Sequence, residues 1–244
     1  MQFDESILEQ ARQKLLAKNG GKRFIKFVDV MNNMLTSESK LLGKKSLEED
    51  AREYEAYSSH AERLWEDACL LFKAGSYPTS LFMSIVCMEE TGKIGVARFE
   101  LAMNEAMRAA EAAGQDTSQP AGSSLPRRKG PFYSHPKKHL LAAGAGAVVN
   151  SRLDRILGID RVIEFLDAVD TGDIERLRQR CIYVEREDTG PYLPYEEIGP
   201  EQAKFYTVLS GELLAEILGF AASEFERLLD RVKGWERCLG MKSE

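Results

Sequence analysis

The sequence of 244 residues contains few of the side chains that usually bind metals or form disulfides. It has three histidines and four cysteines, and the cysteines lie far apart with no C-x-x-C spacing. We therefore expect no structural zinc site. Three of the cysteines fall in apolar helical patterns, which is typical of reduced thiols in a protein core and predicts a cytoplasmic location.

Long apolar runs are also missing from the sequence. No segment approaches the ~20 apolar residues that are needed to span a bilayer. The first residues, Met1 to Glu5, lack the basic and then apolar layout of a signal peptide. We therefore expect no membrane partner.

Several short motifs of common cofactor and nucleotide sites are absent. The sequence has no G-x-S-x-G, no Walker phosphate loop, no G-x-G-x-x-G and no Glu-x-x-His pair of the ferritin-like di-iron proteins. We therefore predict no metal and no cofactor. The net charge of -6 argues against nonspecific coating of DNA, although a local basic patch could still bind RNA.

Helical periodicity, in contrast, runs along almost the whole sequence, because apolar residues recur every three to four positions. Ser46 precedes three acidic residues and is predicted to cap a helix. We predict an all-α, multi-helix bundle over residues 46–240, preceded by an N-terminal helical arm over residues 1–45. The helices are predicted at about residues 4–18, 22–42, 46–74, 78–113, 134 onward, 159–170, 173–183 and 201–234, with loops over 114–134 and 188–200.

Charged residues interrupt an apolar stripe that passes through Leu81 in one of the longest predicted helices. Glu89 and Lys93 are four positions apart, which is the favourable order for a surface ion pair worth ~0.3–0.5 kcal/mol. Glu90 and Lys93 are three apart, so the three side chains could instead line the edge of one cleft. The spacing leaves both interpretations open.

A basic segment follows the first predicted loop. It includes His135, Lys137 and Lys138 at the start of a helix. Arg128 lies seven positions before His135. Lysines attract phosphate, the helix N-terminus offers free amides, and an imidazole titrates near neutral pH, so this segment could bind or process a phosphate. The simpler interpretation is an exposed basic helix start.

A third candidate segment contains Arg178, Arg180 and Tyr183 near the end of a predicted helix. A guanidinium group can bind a phosphate through two hydrogen bonds, and a phenol can donate a hydrogen bond or a proton. The alternative is the ordinary end of an amphipathic helix, with Cys181 and Ile182 packed inward.

Together these segments resemble the AbiV family of bacterial abortive infection proteins. The resemblance covers about residues 55–230, and residues 1–50 lie outside it and are expected to form a dimerisation or partner arm. The residues that carry the resemblance are Asp67-Ala68, Gly75-Ser76-Tyr77, Glu89-Glu90-Thr91-Gly92-Lys93, Ser134-His135-Pro136-Lys137 and Leu177-Arg178 through Tyr183-Val184-Glu185.

This resemblance implies a relation to the all-helical HEPN superfamily, so that the predicted bundle is HEPN-like with extra N-terminal helices. Many members of that superfamily are dimeric, metal-independent ribonucleases with an arginine followed by four to six residues and a histidine. In this sequence Tyr183 stands where the histidine would follow Arg178. Arg128 and His135 match the spacing across a loop, and His135 could alternatively fold back beside Arg178.

The resemblance implies first an enzyme, a HEPN-like ribonuclease that acts on RNA during phage infection. Arg178 would stabilise the developing negative charge, and His135 or Tyr183 would move protons. A tyrosine is a poor base at neutral pH, which favours His135. The further expected roles are orientation or phosphate binding for Glu90 and Lys93, RNA binding for Arg128, Lys137, Lys138 and Arg180, and orientation of the site for Glu89.

The second hypothesis is a non-catalytic helical protein, because the resemblance implies that such proteins block phage development by stopping translation after a phage protein triggers them. In that case Glu89 and Arg178 would belong to a buried ion network that fixes the helix register. The expected partners are a second copy of the chain in a homodimer, a phage activator protein, and RNA or the ribosome. A third hypothesis, a housekeeping bundle, leaves the combination of motifs unexplained.

Overall fold

The structure is a computed structural model that describes residues 46–114, 134–147, 156–188, 190–218, 230–235, 237 and 239. In these ranges the regular secondary structure is helical apart from one short antiparallel hairpin, which confirms the all-α prediction. The elements are α1 (Leu47–Lys73), α2 (Tyr77–Ala112), α3 (His135–Ala147), α4 (Ile159–Thr171), α5 (Asp173–Arg180), β1 (Glu185–Glu187), β2 (Gly190–Tyr192), α6 (Pro194–Glu197) and α7 (Pro200–Leu218).

The start of α1 and its junction with α2 follow from local sequence. Ser46 and Glu49 form a capping box, in which the Glu49 amide donates to Ser46 Oγ at 3.2 Å and the Ser46 amide donates to the Glu49 carboxylate at 2.7 Å. Gly75 then adopts a φ of +77°, which a residue with a side chain rarely adopts, and Pro78 lies in the first turn of α2. The predicted N-cap and the predicted break are both confirmed.

Helix α2 lies at the centre of the described bundle. It packs against α1, α3 and α7 and also touches α5 and α6. Its apolar stripe, which includes Leu81, Ile85 and Met88, is fully buried. Because α2 is covered on several sides, charged residues in its middle necessarily lie close to side chains from other helices.

A hydrogen bond and a close approach hold α1 against α7. The indole of Trp65 donates a hydrogen bond to the carbonyl of Thr207 at 3.1 Å. Gly211, one turn further along α7, provides the space, since a Cβ there would lie 2.6 Å from the indole nitrogen.

Some predicted boundaries are wrong. The helix predicted over 173–183 ends at Arg180, so that Tyr183 follows the helix. The loop predicted over 188–200 contains β2 and α6, and β2 pairs with β1. The helix predicted over 201–234 is described only as α7 and a helical stretch over 230–235. The predicted arm over residues 1–45 lies outside the described residues, as does Arg128.

Two further predictions concern thiols and membranes. Cys69, Cys87 and Cys181 are buried thiols that form no disulfide among the described residues, as expected of reduced core thiols. Burial raises the pKa of Cys87 and Cys181 to about 12. Cys238 lies outside the described residues. In the described parts of the chain, every helix is too short or too polar to cross a bilayer.

Candidate active site

The most unusual feature of the bundle is a buried carboxylate surrounded by basic groups. Glu89, in the middle of α2, is only 3% exposed. Its Oε2 lies 2.7 Å from His135 Nδ1 and accepts a hydrogen bond of 2.9 Å from Lys138 Nζ. Its Oε1 lies 3.3 Å from His139 Nε2 and 3.6 Å from Arg178 Nε. The Glu89 cluster, as we call these five residues, therefore joins α2, α3 and α5.

The sequence of α3 explains why three of these groups come from one helix. His135, Lys138 and His139 are spaced by three and four positions, so they lie on one face of α3. That face meets α2 where Gly92 has no side chain, because a Cβ on Gly92 would lie 2.3 Å from the Lys138 carbonyl oxygen. A glycine one turn after Glu89 thus lets the two backbones approach closely enough for these contacts to form.

The electrostatics keep Glu89 ionised. Burial alone raises the pKa of a carboxyl group, but the nearby His139 and Lys138 outweigh this effect and lower the pKa of Glu89 to about 2. Of these two neighbours, Lys138 makes the better-defined hydrogen bond, since the 3.3 Å contact from His139 is not aligned as one. The negative charge of Glu89 is therefore present throughout the physiological pH range.

Several buried atoms of the cluster lack an aligned hydrogen bond. Among the described residues these include Oε1 of Glu89, Nδ1 of His135 and Nε2 of His139, although each has a polar neighbour within 3.6 Å. Leaving a buried polar group without a good partner costs about 1–3 kcal/mol. Such an arrangement is rare in a purely structural core and is more typical of a functional site.

Arg178 lies between two carboxylates. Its Nε and Nη2 donate to the two oxygens of Glu175 at 2.9 and 2.7 Å, and Gln179 donates to the same carboxylate at 3.0 Å. The hydrogen bonds with Arg178 lower the pKa of Glu175, and those with Glu175 raise the pKa of Arg178. The guanidinium group is thereby held charged and oriented, with its side chain 19% exposed.

One side of the cluster is open to solvent. The His135 side chain is 43% exposed even though its Nδ1 faces the buried Glu89. Tyr183, which follows α5, is 59% exposed and lies within electrostatic reach of Arg178. The imidazole and the phenol are therefore both partly open to solvent, next to the guanidinium group of Arg178.

The structure places other predicted site residues elsewhere. Lys93 donates to both oxygens of Glu90 at 2.7 and 2.8 Å, and its Nζ lies 6.0 Å from the ring of Tyr57 in α1. The surface pair considered between Glu89 and Lys93 is therefore replaced by two separate pairs. Glu90 and Lys93 face α1, a position that suits helix packing better than contact with a substrate.

The structure also places the predicted RNA-binding residues in different environments. Lys138 is 6% exposed and bound to Glu89, a position that suits holding the carboxylate better than contacting RNA. Arg180 donates to Glu187 at 3.0 Å and stacks over the ring of Tyr192 at 3.9 Å, which ties α5 to the hairpin. Lys137 is half-buried at the start of α3.

The sequence interpretation missed two members of this region. His139 lies at the end of the basic segment but is assigned no role from the sequence, and Glu175 is not singled out. Each carries a spacing signal, since His139 lies four positions after His135 and Glu175 lies three before Arg178.

One set of side chains could in principle hold a metal ion. Glu89, His135 and Glu175 each offer a ligand atom, and these atoms lie within 4.8 Å of one another. However, Lys138 and Arg178 already supply positive charge to the same carboxylates. A divalent cation would have to displace or repel both groups, so these residues fit a metal poorly.

Comparison with known proteins gives one clear match. The family HEPN_AbiV, described as AbiV, matches residues 51–215, a range that runs from near the start of α1 to the last turn of α7 and includes every member of the Glu89 cluster. Searches of curated proteins and of solved structures found no match.

Proposed function

The chain belongs to the AbiV family, which indicates an abortive infection role against phages, and from this premise we propose that it cleaves RNA at the Glu89 cluster. One observation carries the proposal. A half-exposed imidazole, His135, has its Nδ1 2.7 Å from a buried carboxylate, and beside both lies a guanidinium group, Arg178, which is itself oriented by Glu175.

His135 is the proposed general base. Its Nδ1 faces Glu89, which favours the tautomer that carries a proton on Nδ1 and a lone pair on Nε2. The exposed part of the ring can then accept a proton from a ligand. A carboxylate this close to an imidazole can also stabilise the imidazolium that forms during the reaction.

Arg178 is the proposed electrostatic group. The hydrogen bonds described for it use Nε and Nη2, so that Nη1 remains for a phosphate oxygen. A guanidinium group that is already oriented loses little freedom when a phosphate binds, and its charge is present before the transition state forms.

The proposed reaction is an intramolecular transesterification that breaks one phosphodiester bond. His135 removes the proton of a ribose 2′-hydroxyl, and the oxygen attacks the adjacent phosphorus. The bond from phosphorus to the 5′-oxygen breaks, and Tyr183 or the newly protonated His135 gives a proton to that oxygen. The products are a 2′,3′-cyclic phosphate and a 5′-hydroxyl end, and Arg178 stabilises the negative charge on phosphorus during the attack.

Cleavage of RNA by the purified protein with EDTA present tests this proposal. His135→Ala and Arg178→Ala should each abolish cleavage while the fold is retained. Matched controls are His60→Ala, on the exposed surface of α1, and Arg176→Ala, which pairs with Asp173 on the exposed face of α5. Both control variants should cleave like the wild type.

Loss of cleavage in the control variants as well would show that the changes act through stability. If the wild type cleaves no RNA, alone or with a lysate of phage-infected cells that contains the trigger, the ribonuclease proposal is wrong. The lysate arm matters because a phage activator protein is one of the proposed partners.

A second function is favoured by a specific observation. Most of the Glu89 cluster is buried, and Arg178 already uses two of its nitrogens on Glu175. This arrangement also suits an ion network that holds α2, α3 and α5 in register in a non-catalytic homodimer that inhibits translation or binds a phage protein. If cells that carry the His135→Ala variant remain as resistant to phage as cells with the wild type, this alternative is supported.

A further inference from the structure

A second feature of the surface lies shortly after Arg178 in the chain. A cavity of about 420 Å³ lies between the end of α5, α6 and the start of α2. It is lined mainly by apolar groups, with Thr79, Tyr195 and Glu196 as its polar members. Its size falls in the range of small-ligand pockets, about 300–1,000 Å³, and a mostly apolar wall with a few polar groups is typical of them.

Exposed apolar side chains are concentrated around this cavity. The described residues include five large hydrophobic side chains that are exposed. Three of them, Ile182, Val184 and Tyr195, line the cavity, and a fourth, Tyr183, lies between two of these in the chain. Single exposed apolar residues are ordinary, but a group of them at the mouth of a cavity marks a binding surface.

The cavity is close to the proposed reaction centre. Cys181, in its wall, follows Arg178 by less than one helical turn, because the Cys181 amide still donates to the Leu177 carbonyl at 3.0 Å. The rise between the two residues is therefore only about 4.5 Å. A phosphate at Arg178 would place the neighbouring nucleotide within reach of the cavity.

The polar groups of the cavity exclude phosphate as its occupant and favour a hydrogen-bond donor. The Glu196 carboxylate can only accept hydrogen bonds while it is ionised, and it repels anions. Tyr195 is 70% exposed, and its hydroxyl lies 3.4 Å from Thr79 Oγ1, which itself accepts from Ser76 at 3.1 Å. The phenol ring is thus oriented at the cavity and offers an open face.

We propose that this cavity binds one unpaired nucleobase with an exocyclic amino group, next to the phosphate that is cleaved, so that the substrate is single-stranded RNA. Tyr195 stacks on the base, and Glu196 accepts a hydrogen bond from its amino group. Carboxylates read the amino group of cytosine in this way, and stacking on aromatic rings is the usual means of binding splayed-out bases in RNA. The inference rests on the proposed function, because it names the substrate class of the same site.

Binding and cleavage should be measured separately. The first measurement is the affinity of the His135→Ala variant, which binds without cutting, for fluorescent oligocytidylate and oligouridylate of equal length. Cytosine presents an amino group to Glu196 where uracil presents a carbonyl oxygen, so we expect tighter binding of oligocytidylate. Adding Tyr195→Ala should weaken that binding roughly 5- to 100-fold, as expected for the loss of one stacking contact.

Two variants serve as matched controls in the same background. Tyr195→Phe keeps the ring and should retain most of the affinity. Glu197→Gln, one residue after Glu196 and outside the cavity lining, should leave the preference for cytidine unchanged, whereas Glu196→Gln should reduce it.

The outcomes separate the two proposals. Cleavage by the wild type without a preference between the two oligomers, or without an effect of Tyr195→Ala, would overturn the base pocket and leave the ribonuclease standing. Selective binding that depends on Tyr195, without any cleavage, would support the pocket and overturn the ribonuclease. Equal or absent binding of both oligomers would overturn the pocket and assign the exposed apolar surface to another partner.

Discussion

The close approach of α2 and α3 at Gly92 gives the sharpest test of the structure. Gly92→Ala adds a Cβ that would lie 2.3 Å from the Lys138 carbonyl oxygen, whereas such contacts in proteins stay above 3.0 Å. The obstacle is backbone, so the helices must move apart, and overpacking of this kind typically costs about 1–3 kcal/mol. The shift would also lengthen the 2.9 Å hydrogen bond from Lys138 to Glu89.

Gly95→Ala on the same helix provides the matched control. Among the residues that the structure describes, a Cβ on Gly95 meets only the Cδ1 atom of Ile217 at 3.7 Å, which is an ordinary contact. Both changes gain the same helix propensity, about 0.8–1 kcal/mol for alanine over glycine. The difference between the two variants therefore isolates the steric cost at Gly92.

The free energy of unfolding in urea measures this difference. We expect Gly95→Ala to equal or exceed the wild type in stability, and Gly92→Ala to fall about 1–3 kcal/mol below Gly95→Ala. If the two variants have equal stability, α3 does not cross α2 at Gly92 as described, and the geometry of the Glu89 cluster is wrong.

Two further predictions concern the charges of the cluster. Because the pKa of Glu89 is lowered from 4.5 to about 2, its charge contributes stability that is fully present above about pH 4.5 and is lost as the pH falls towards 2. Glu89→Gln should remove about 2 kcal/mol of the stability difference between pH 7 and pH 3 in urea unfolding, because the folded-state carboxyl is still mostly ionised at pH 3. An unchanged difference between the two pH values would contradict this. Lys138→Met should lower the free energy of unfolding at pH 7 by about 3–5 kcal/mol, because it leaves Glu89 without its best partner. Lys137→Met should leave that free energy nearly unchanged. Similar losses in the two variants would contradict this prediction.

Local signals in the sequence are sufficient to predict much of the fold. The capping box of Ser46 and Glu49 uses residues three positions apart, and the break at Gly75 and Pro78 uses turn chemistry within a few residues. The apolar stripe of α2 likewise depends only on periodicity. Features that are encoded within one or two turns can be read from one sequence.

The hairpin of β1 and β2 could not be predicted in the same way. Each strand has only three residues, and the pattern Glu185-Arg186-Glu187 has no apolar alternation. What the structure adds is a long-range contact, the stacking of Arg180 on Tyr192. Tertiary contacts of this kind leave no periodic signal in a short segment.

The Glu89 cluster shows the same limit at the candidate site. Helical spacing suggests Lys93 as a partner of Glu89. In the structure Glu89 instead pairs with Lys138, 49 residues away, and Lys93 pairs with Glu90. The three segments singled out in the sequence each contribute at least one side chain to this cluster. Their convergence depends on how α3 and α5 pack on α2, which spacing within one helix does not determine.

The most direct test of the proposed chemistry is the analysis of the RNA ends left by the purified protein. Attack by the 2′-hydroxyl with His135 as base predicts 2′,3′-cyclic phosphate and 5′-hydroxyl ends, no cleavage of DNA of the same sequence, and no product from His135→Ala. Ends with a free 3′-hydroxyl and a 5′-phosphate, or equal cleavage by His135→Ala and His60→Ala, would contradict a reaction at the Glu89 cluster.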